Sequence, residues 1–571
     1  MSGNNNNSVK IILIFIVIAA LVFGGVFAVI TLTSNVGKTA SDVSQADAVA
    51  VMERLYKKIR VNTLAPTKGM VDLGEVNIAD SLPDIDKYPP QVDNKTADFV
   101  EIFSSTEKAT VSSGGADTDR WLVDMAIQFN NARITIDGQP VSVRIRGIAS
   151  GLGMDYISSG KYVPDAFSPS NELWGDALKS MNIPAALVEK RLTGNVAGIV
   201  LSKSKYSELT QKYGAISVKT ITEAVVNNEL QMGYTNPFAS STGANYLIST
   251  LYSFDPLDPL NETTAQEFTK FQSNIPYVAY TTLQMKDSAK SGMLDGFVFE
   301  YQQLMNSPDI KNDYVFTPFG VRHDSPVYEL GNLSPLKKEI LRQFIDFCKT
   351  EEAQRAAAKY GFNGYDDYAT EFTNMNGDNL IQAQKLWKEK KSGDRDIIAV
   401  FVADVSGSME GEPLNKLKES LLSGSKYIGN DCSVGLITFS NDVNIALPIG
   451  KFDLNQRSLF VGAVGQMTAS GGTAMFDAIV VASKMLMEQK ANNPNAKLML
   501  FVLTDGDTNQ GNSLNDCRNM IAGLQIPIYT IGYNANVASL AQVSSINEAA
   551  SINADTDDVV YKIQNLFNAE M

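Results

Sequence analysis

Two runs constrain this chain more than any other feature: DIIAVFVAD at 396–404 and KLMLFVLTD at 497–505, each apolar almost throughout and each closing on an aspartate. A strand that is apolar on both sides needs cover on both faces. That is the condition of a largely parallel sheet held between layers of helices. Three more runs have the same character: SVGLITFS at 433–440, VNIALPIG at 443–450 and PIYTIGYN at 527–534. Helical stretches at Leu414–Ile428, Ala474–Gln489, Leu514–Leu524 and Val537–Gln542 alternate with them. Residues 395–571 therefore read as a doubly wound α/β domain. Ligands of such a domain sit beyond the carboxyl ends of its strands.

Asp404 stands at one of those ends, in the stretch FVADVSGSMEG. Residues two apart in an extended loop point the same way, so Asp404, Ser406 and Ser408 can converge on one point, with Gly407 allowing the turn. Two further loops offer partners: Thr473 in TASGGTAMFDAI and Asp505 in VLTDGDTN. All five donors are oxygens and only two carry formal charge. That set suits a hard six-coordinate cation, Mg²⁺ or Mn²⁺, with Ca²⁺ second because it usually recruits more carboxylates.

DxSxS, then Thr473, then Asp505, each at a strand edge, resembles the metal-ion-dependent adhesion site of von Willebrand factor A domains, to which Arg395–Phe567 is similar. The resemblance implies a Rossmann-like fold whose bound metal captures a Glu or Asp of a protein partner, in adhesion or assembly. No nucleophile, general base or phosphate loop stands out, so the chain reads as a non-enzyme.

Other bounds are broader. At 571 residues the chain is too long for one core, and two or three domains are expected. A formal charge of −15 argues against nucleic acid as a partner. Cys348, Cys432 and Cys517 show neither metal-ligand spacing nor a disulfide framework. His323 is the only histidine, which excludes multi-histidine metal centres and leaves it as a structural or exposed residue.

Residues 11–32, IILIFIVIAALVFGGVFAVITL, carry no charge. At about 33 Å a helix of that length crosses a bilayer core. It is expected to be a single-pass anchor, with residues 1–10 cytoplasmic and the bulk of the chain extracytoplasmic at the cell membrane; a signal peptide cleaved after Ala28 is the alternative. The apolar spacing Val51, Leu55, Ile59 then suggests a stalk helix, and the proline-bearing DSLPDIDKYPPQVDNKT a linker, so that 33–95 is expected to be stalk and linker.

Between them, residues 96–390 repeat a theme of strand, hydroxyl-rich loop and helix. VEIFSSTEK, VPDAFSPSNELW, GYTNPFASSTGANYL and SPLKKEILRQFIDFCKTEEAQRAAAKYGFN carry a resemblance to two-lobed extracellular solute-binding domains of the type II class. By that resemblance a small polar or anionic solute lies between the lobes, near Ser104, Ser105, Ser150, Ser168, Thr235, Asn236, Ser240 and Ser241. The same residue types also serve as helix caps and turns. Two other functions stay open: a solute receptor for a transporter or sensor, with the A domain only docking; and, with reversed topology, a cytosolic partner of an AAA-type ATPase.

Overall fold

The central strand Ile397–Asp404 is buried along its whole length and pairs in parallel with Ser433–Phe439 on one side and Lys497–Thr504 on the other. These coordinates are a computed structural model. It describes residues 43–571 apart from 73–78, 80–81, 112–117, 276–277, 280–284, 287–288, 290–293, 371, 373–375, 507, 534–539, 541–542, 544–550, 554–562, 564–565 and 568–569. The apolar span 11–32 lies outside the described residues, and most of 537–542 does too. Among the described residues no helix is long and apolar enough to cross a membrane.

Seven strands form this sheet, in the order Val61–Thr63, Val443–Lys451, Ser433–Phe439, Ile397–Asp404, Lys497–Thr504, Ile528–Gly532 and Ser551–Asn553. One departure from the expected parallel arrangement is Val443–Lys451, which runs antiparallel to Ser433–Phe439. The reason is the short link Ser440–Asp442: a parallel return needs a crossover of a dozen or more residues.

The edge strand corrects the expectation for 33–95. Val61–Thr63 pairs in parallel with Val443–Ile445, and Arg60 lies 3.4 Å from Asp442. The helix before it, Gln45–Tyr56, is capped by Ser44, whose hydroxyl accepts from the Asp47 N–H at 3.2 Å. Its residues Ala48, Met52 and Leu55 share one core with Ile479, Met520 and Ile521 of the helices Met475–Asn492 and Leu514–Leu524. The apolar spacing that suggested a free stalk thus belongs to a segment packed on the carboxyl-terminal sheet, with Leu55 in that core and Val51 and Ile59 against it. This domain is discontinuous, and the solute-binding-like domain is inserted into it.

The inserted domain has two lobes. One holds a six-stranded sheet, Thr135–Ile136, Gln139–Gly147, Asp98–Ser104, Ala166–Ser168, Val327–Leu330 and Ala185–Glu189 in spatial order. The other holds five strands, Tyr314–Arg322, Val196–Ser202, Gly296–Glu300, Met232–Thr235 and Val278–Ala279. The chain crosses between lobes at 189–196 and again at 322–327. At Asp137–Gly138, between Thr135–Ile136 and Gln139–Gly147, both residues take positive φ, 50° and 80°, as a two-residue hairpin turn requires.

Replacing Met52 by Ala is expected to destabilise the carboxyl-terminal domain by about 2–5 kcal/mol in denaturant titration, whereas a solvated stalk residue would change it by less than about 0.5 kcal/mol. A second test concerns Lys391, buried where the inserted domain returns to the sheet; its backbone carbonyl accepts from Gln272 Nε2 at 3.2 Å. Burial pushes this ammonium down from 10.5 to about 7, against the pull of Glu570. Between about pH 7 and 10 the unfolded chain therefore holds the extra proton, so stability rises with pH, by up to about 1.4 kcal/mol per unit. Calorimetry should show the melting temperature climbing from pH 7 to 9, and Lys391→Met should flatten that climb.

Candidate functional site

Asp404 is completely buried at the end of its strand. Its Oδ1 accepts from the Ser406 N–H at 2.7 Å and its Oδ2 from the Thr504 hydroxyl at 2.5 Å, so the neighbouring strand orients the carboxylate. The Ser406 and Ser408 hydroxyls are 3.0 Å apart, and Ser408 donates to Asp505 Oδ1 at 2.9 Å. Asp404, Ser406, Ser408 and Asp505 thus belong to one hydrogen-bonded group of oxygens. Thr473 stands on the adjoining loop. That loop is pinned to the first by the Gly407 N–H on Gly471 O at 2.9 Å and the Ser470 N–H on Val405 O at 2.8 Å. Gly471 has φ +83° there, and a Cβ on it would meet the Asn441 side chain. Asn509 fixes Thr473 itself, its Oδ1 accepting from the Thr473 N–H at 2.8 Å.

Burial raises the Asp404 carboxyl above its ordinary value, and the Asp505 charge adds to this against hydrogen bonds from Thr504 and Ser406. Burial raises Asp505 as well. Two carboxylates that resist ionisation side by side lack a counter-charge, and a divalent cation would supply it. The all-oxygen donor set fits a hard ion. Among the described residues no cluster of three or more His, Cys, Asp or Glu could hold a metal, so hydroxyls would have to complete this set.

A second site lies between the lobes of the inserted domain. A cavity of about 150 Å³ is lined by Ser105, Glu107 and Ser150 from one lobe and by Ser240, Glu300 and Gln303 from the other. Ser241 lines it too. Ser104, Ser168, Thr235 and Asn236 lie outside the lining: the Thr235 hydroxyl donates to Ser240 Oγ at 2.9 Å, and Asn236 Oδ1 accepts from the Phe238 N–H in a turn. Ser240 caps the helix Ser241–Phe254, and Ser241 Oγ accepts from Trp174 Nε1 at 2.8 Å. Several hydroxyls singled out in the sequence are therefore engaged in local bonds.

The charged residues here escaped the sequence reading. Ser105 donates to Glu107 Oε1 at 2.5 Å. Lys108, with no exposed surface, donates to Ser105 Oγ and to Ser168 O, and lies 3.5 Å from Glu107. Glu300 Oε2 accepts from Asn195 at 2.8 Å, and its Oε1 is 2.9 Å from His323 Nδ1. His323 is thus buried rather than exposed, bonded across the interlobe crossings. The available signals were the charged pair inside FSSTEK and a strand, GFVFE, that ends on a carboxylate as DIIAVFVAD does.

Comparison with known proteins agrees with both halves. The family model "von Willebrand factor type A domain" matches residues 399–569, and "Bacterial extracellular solute-binding protein" matches 112–363. The chain carries both domains, the solute-binding one first and the A domain after it. Inter-alpha-trypsin inhibitor heavy chain H3 of Bos taurus is 30% identical over 150 residues, 24% of this chain and 16% of that protein. Heavy chain H4 of Bos taurus is 28% identical over 152 residues, again 24% and 16%. The chain thus spans about a sixth of the curated relatives it matches. Among solved structures, BatB of Bacteroides thetaiotaomicron aligns at TM-score 0.25 and 17% identity, over 30% of this chain and 96% of that one. Iron-bound HitA of Pseudomonas aeruginosa aligns at 0.36 and 12%, over 52% and 99%.

Thr504→Val removes the hydroxyl that donates to buried Asp404. It should cost about 1–3 kcal/mol of stability in the A domain by denaturant titration.

Proposed function

We propose that this is a single-pass, extracytoplasmic binding protein of adhesion or assembly type. Asp404, Ser406, Ser408, Thr473 and Asp505 would hold Mg²⁺, or Mn²⁺, and Ca²⁺ less readily. A divalent cation bound there supplies an electrophilic centre for a carboxylate of a protein partner. The chain's own residues supply the rest. Thr504 orients Asp404, the pinned Gly471 loop presents Thr473, and Ser408 and Asp505 form the outer side of the group. The observation that carries this reading is the hydrogen-bonded group of Asp404, Ser406, Ser408 and Asp505 at the carboxyl ends of parallel strands. The uncharged span 11–32 supports the anchor, with residues 1–10 on the cytoplasmic side. Both matched families are mostly non-enzymatic, in keeping with a binding role. The interlobe cavity supports a second ligand, a solute, in the inserted domain.

A pull-down from membrane extract with the full chain tests the metal reading. A partner retained in Mg²⁺, released by EDTA and missed by Asp404→Ala is the expected result. A partner indifferent to all three conditions would transfer the binding role to the inserted domain.

A further inference from the structure

The cavity between the lobes carries more acceptor than donor chemistry. Glu107 and Glu300 both line it while being more than nine-tenths buried. Among the described residues no Lys or Arg lines it, and Lys108, which bonds to Ser105 of the wall, is itself outside the lining. Its three ammonium donors meet Ser105 Oγ, Ser168 O and the Glu107 carboxylate. Asn245 Oδ1 accepts from the Val321 N–H at 2.9 Å and its Nδ2 donates to Val321 O at 2.8 Å, which fixes the amide's orientation. That same Nδ2 lies 3.2 Å from His323 Nε2, Asn171 Nδ2 lies 3.1 Å from the same ring nitrogen, and His323 Nδ1 faces Glu300 Oε1 at 2.9 Å. Lys108 is paired with Glu107, whereas among the described residues Glu300 has no lysine or arginine within ion-pair distance.

Two further observations point to a donor as the missing partner. Gln303 Oε1, on the cavity wall, is buried without a hydrogen-bond partner. The helices Ser150–Ser159 and Ser241–Phe254 begin at the cavity, an arrangement that ordinarily attracts anions. Here the chain's own carboxylates are already present: Glu300 Oε1 lies 3.3 Å from Thr242 Oγ1 in the first turn of one helix, and Glu107 lines the same wall as Ser150. An incoming oxyanion would meet two carboxylates, and desolvating it there would be unfavourable.

We infer that the interlobe cavity takes a small solute bearing at least one protonated amine, held by Glu300, Glu107 and Gln303 Oε1, and not an oxyanion. This replaces the anionic solute expected from the hydroxyl-rich loops, and it rests on reading the inserted domain as a solute binder.

The test is isothermal titration of the full chain with four probes: ethane-1,2-diammonium, its neutral counterpart ethane-1,2-diol, sulfate and phosphate. The expected result is binding of the diammonium alone, unchanged in Asp404→Ala. Loss of one charge-assisted contact in Glu300→Gln or Gln303→Ala should weaken it roughly tenfold or more for the former and less for the latter. Glu300 also ties the interlobe crossings, so the comparison of diammonium with diol on the unaltered chain stands independently of whether Glu300→Gln folds. Binding of sulfate or phosphate in preference to the diammonium would overturn the inference and leave the solute-binding reading intact. Equal binding of diol and diammonium would also overturn it. No binding of any probe would overturn both, and loss of diammonium binding in Asp404→Ala would move the amine to the metal site.

Discussion

Parallel pairing of Ile397–Asp404 with a strand on each side is the constraint from which the carboxyl-terminal domain follows. A strand bonded on both edges and covered on both faces has no freedom of register, because a slip of one residue would exchange its two buried sets of side chains. With the register held, Asp404 must emerge at the sheet's end and Asp505 must follow the adjacent strand at the same level. The stacked rings of Phe401, Phe501 and Tyr529, with centroids 4.9 Å apart across successive strands, show the same alignment deeper in the sheet. The oxygen-rich group is therefore a consequence of register and needs no special loop to assemble its two carboxylates.

The insertion gives the molecule a second organising feature. Because Gln45–Tyr56 and Val61–Thr63 are built into the A-domain core, the polypeptide enters and leaves the inserted domain from the same sheet. Residues 64–72 continue over the A domain's surface, where the Ser458 hydroxyl donates to Gly69 O at 2.7 Å. The inserted domain is thus joined to the A domain by two chain segments, one before it and one at Lys391–Arg395. That junction is packed: Arg395 and Lys391 both lie against the carbonyl or amide of Gln272.

In the inserted domain the lobes approach closely at Gly151. A Cβ there would lie 2.0 Å from Phe238 O of the opposite lobe. Glu300, Asn195 and His323 tie the two crossing segments to each other just behind the cavity. The cavity wall and the crossing segments behind it therefore share one carboxylate, Glu300.

The sequence by itself determined the main A-domain strands and the order of the two domains, and it set Asp404, Ser406, Ser408, Thr473 and Asp505 at strand edges, because apolar runs and DxSxS spacing are local patterns with local physical causes. It also showed the amphipathic stripe of Gln45–Tyr56, but not what that stripe would cover, since periodicity specifies a buried face and says nothing of the partner. Only the tertiary structure decided that this helix and its strand complete a sheet whose other members lie more than three hundred residues away. It alone decided the character of the cavity too. The hydroxyls of the quoted loops are spent largely on caps and neighbours, whereas Glu107, Lys108, Glu300 and His323, widely separated in sequence, meet there. Their balance of charge and hydrogen bonds depends on distances that no spacing along the chain encodes.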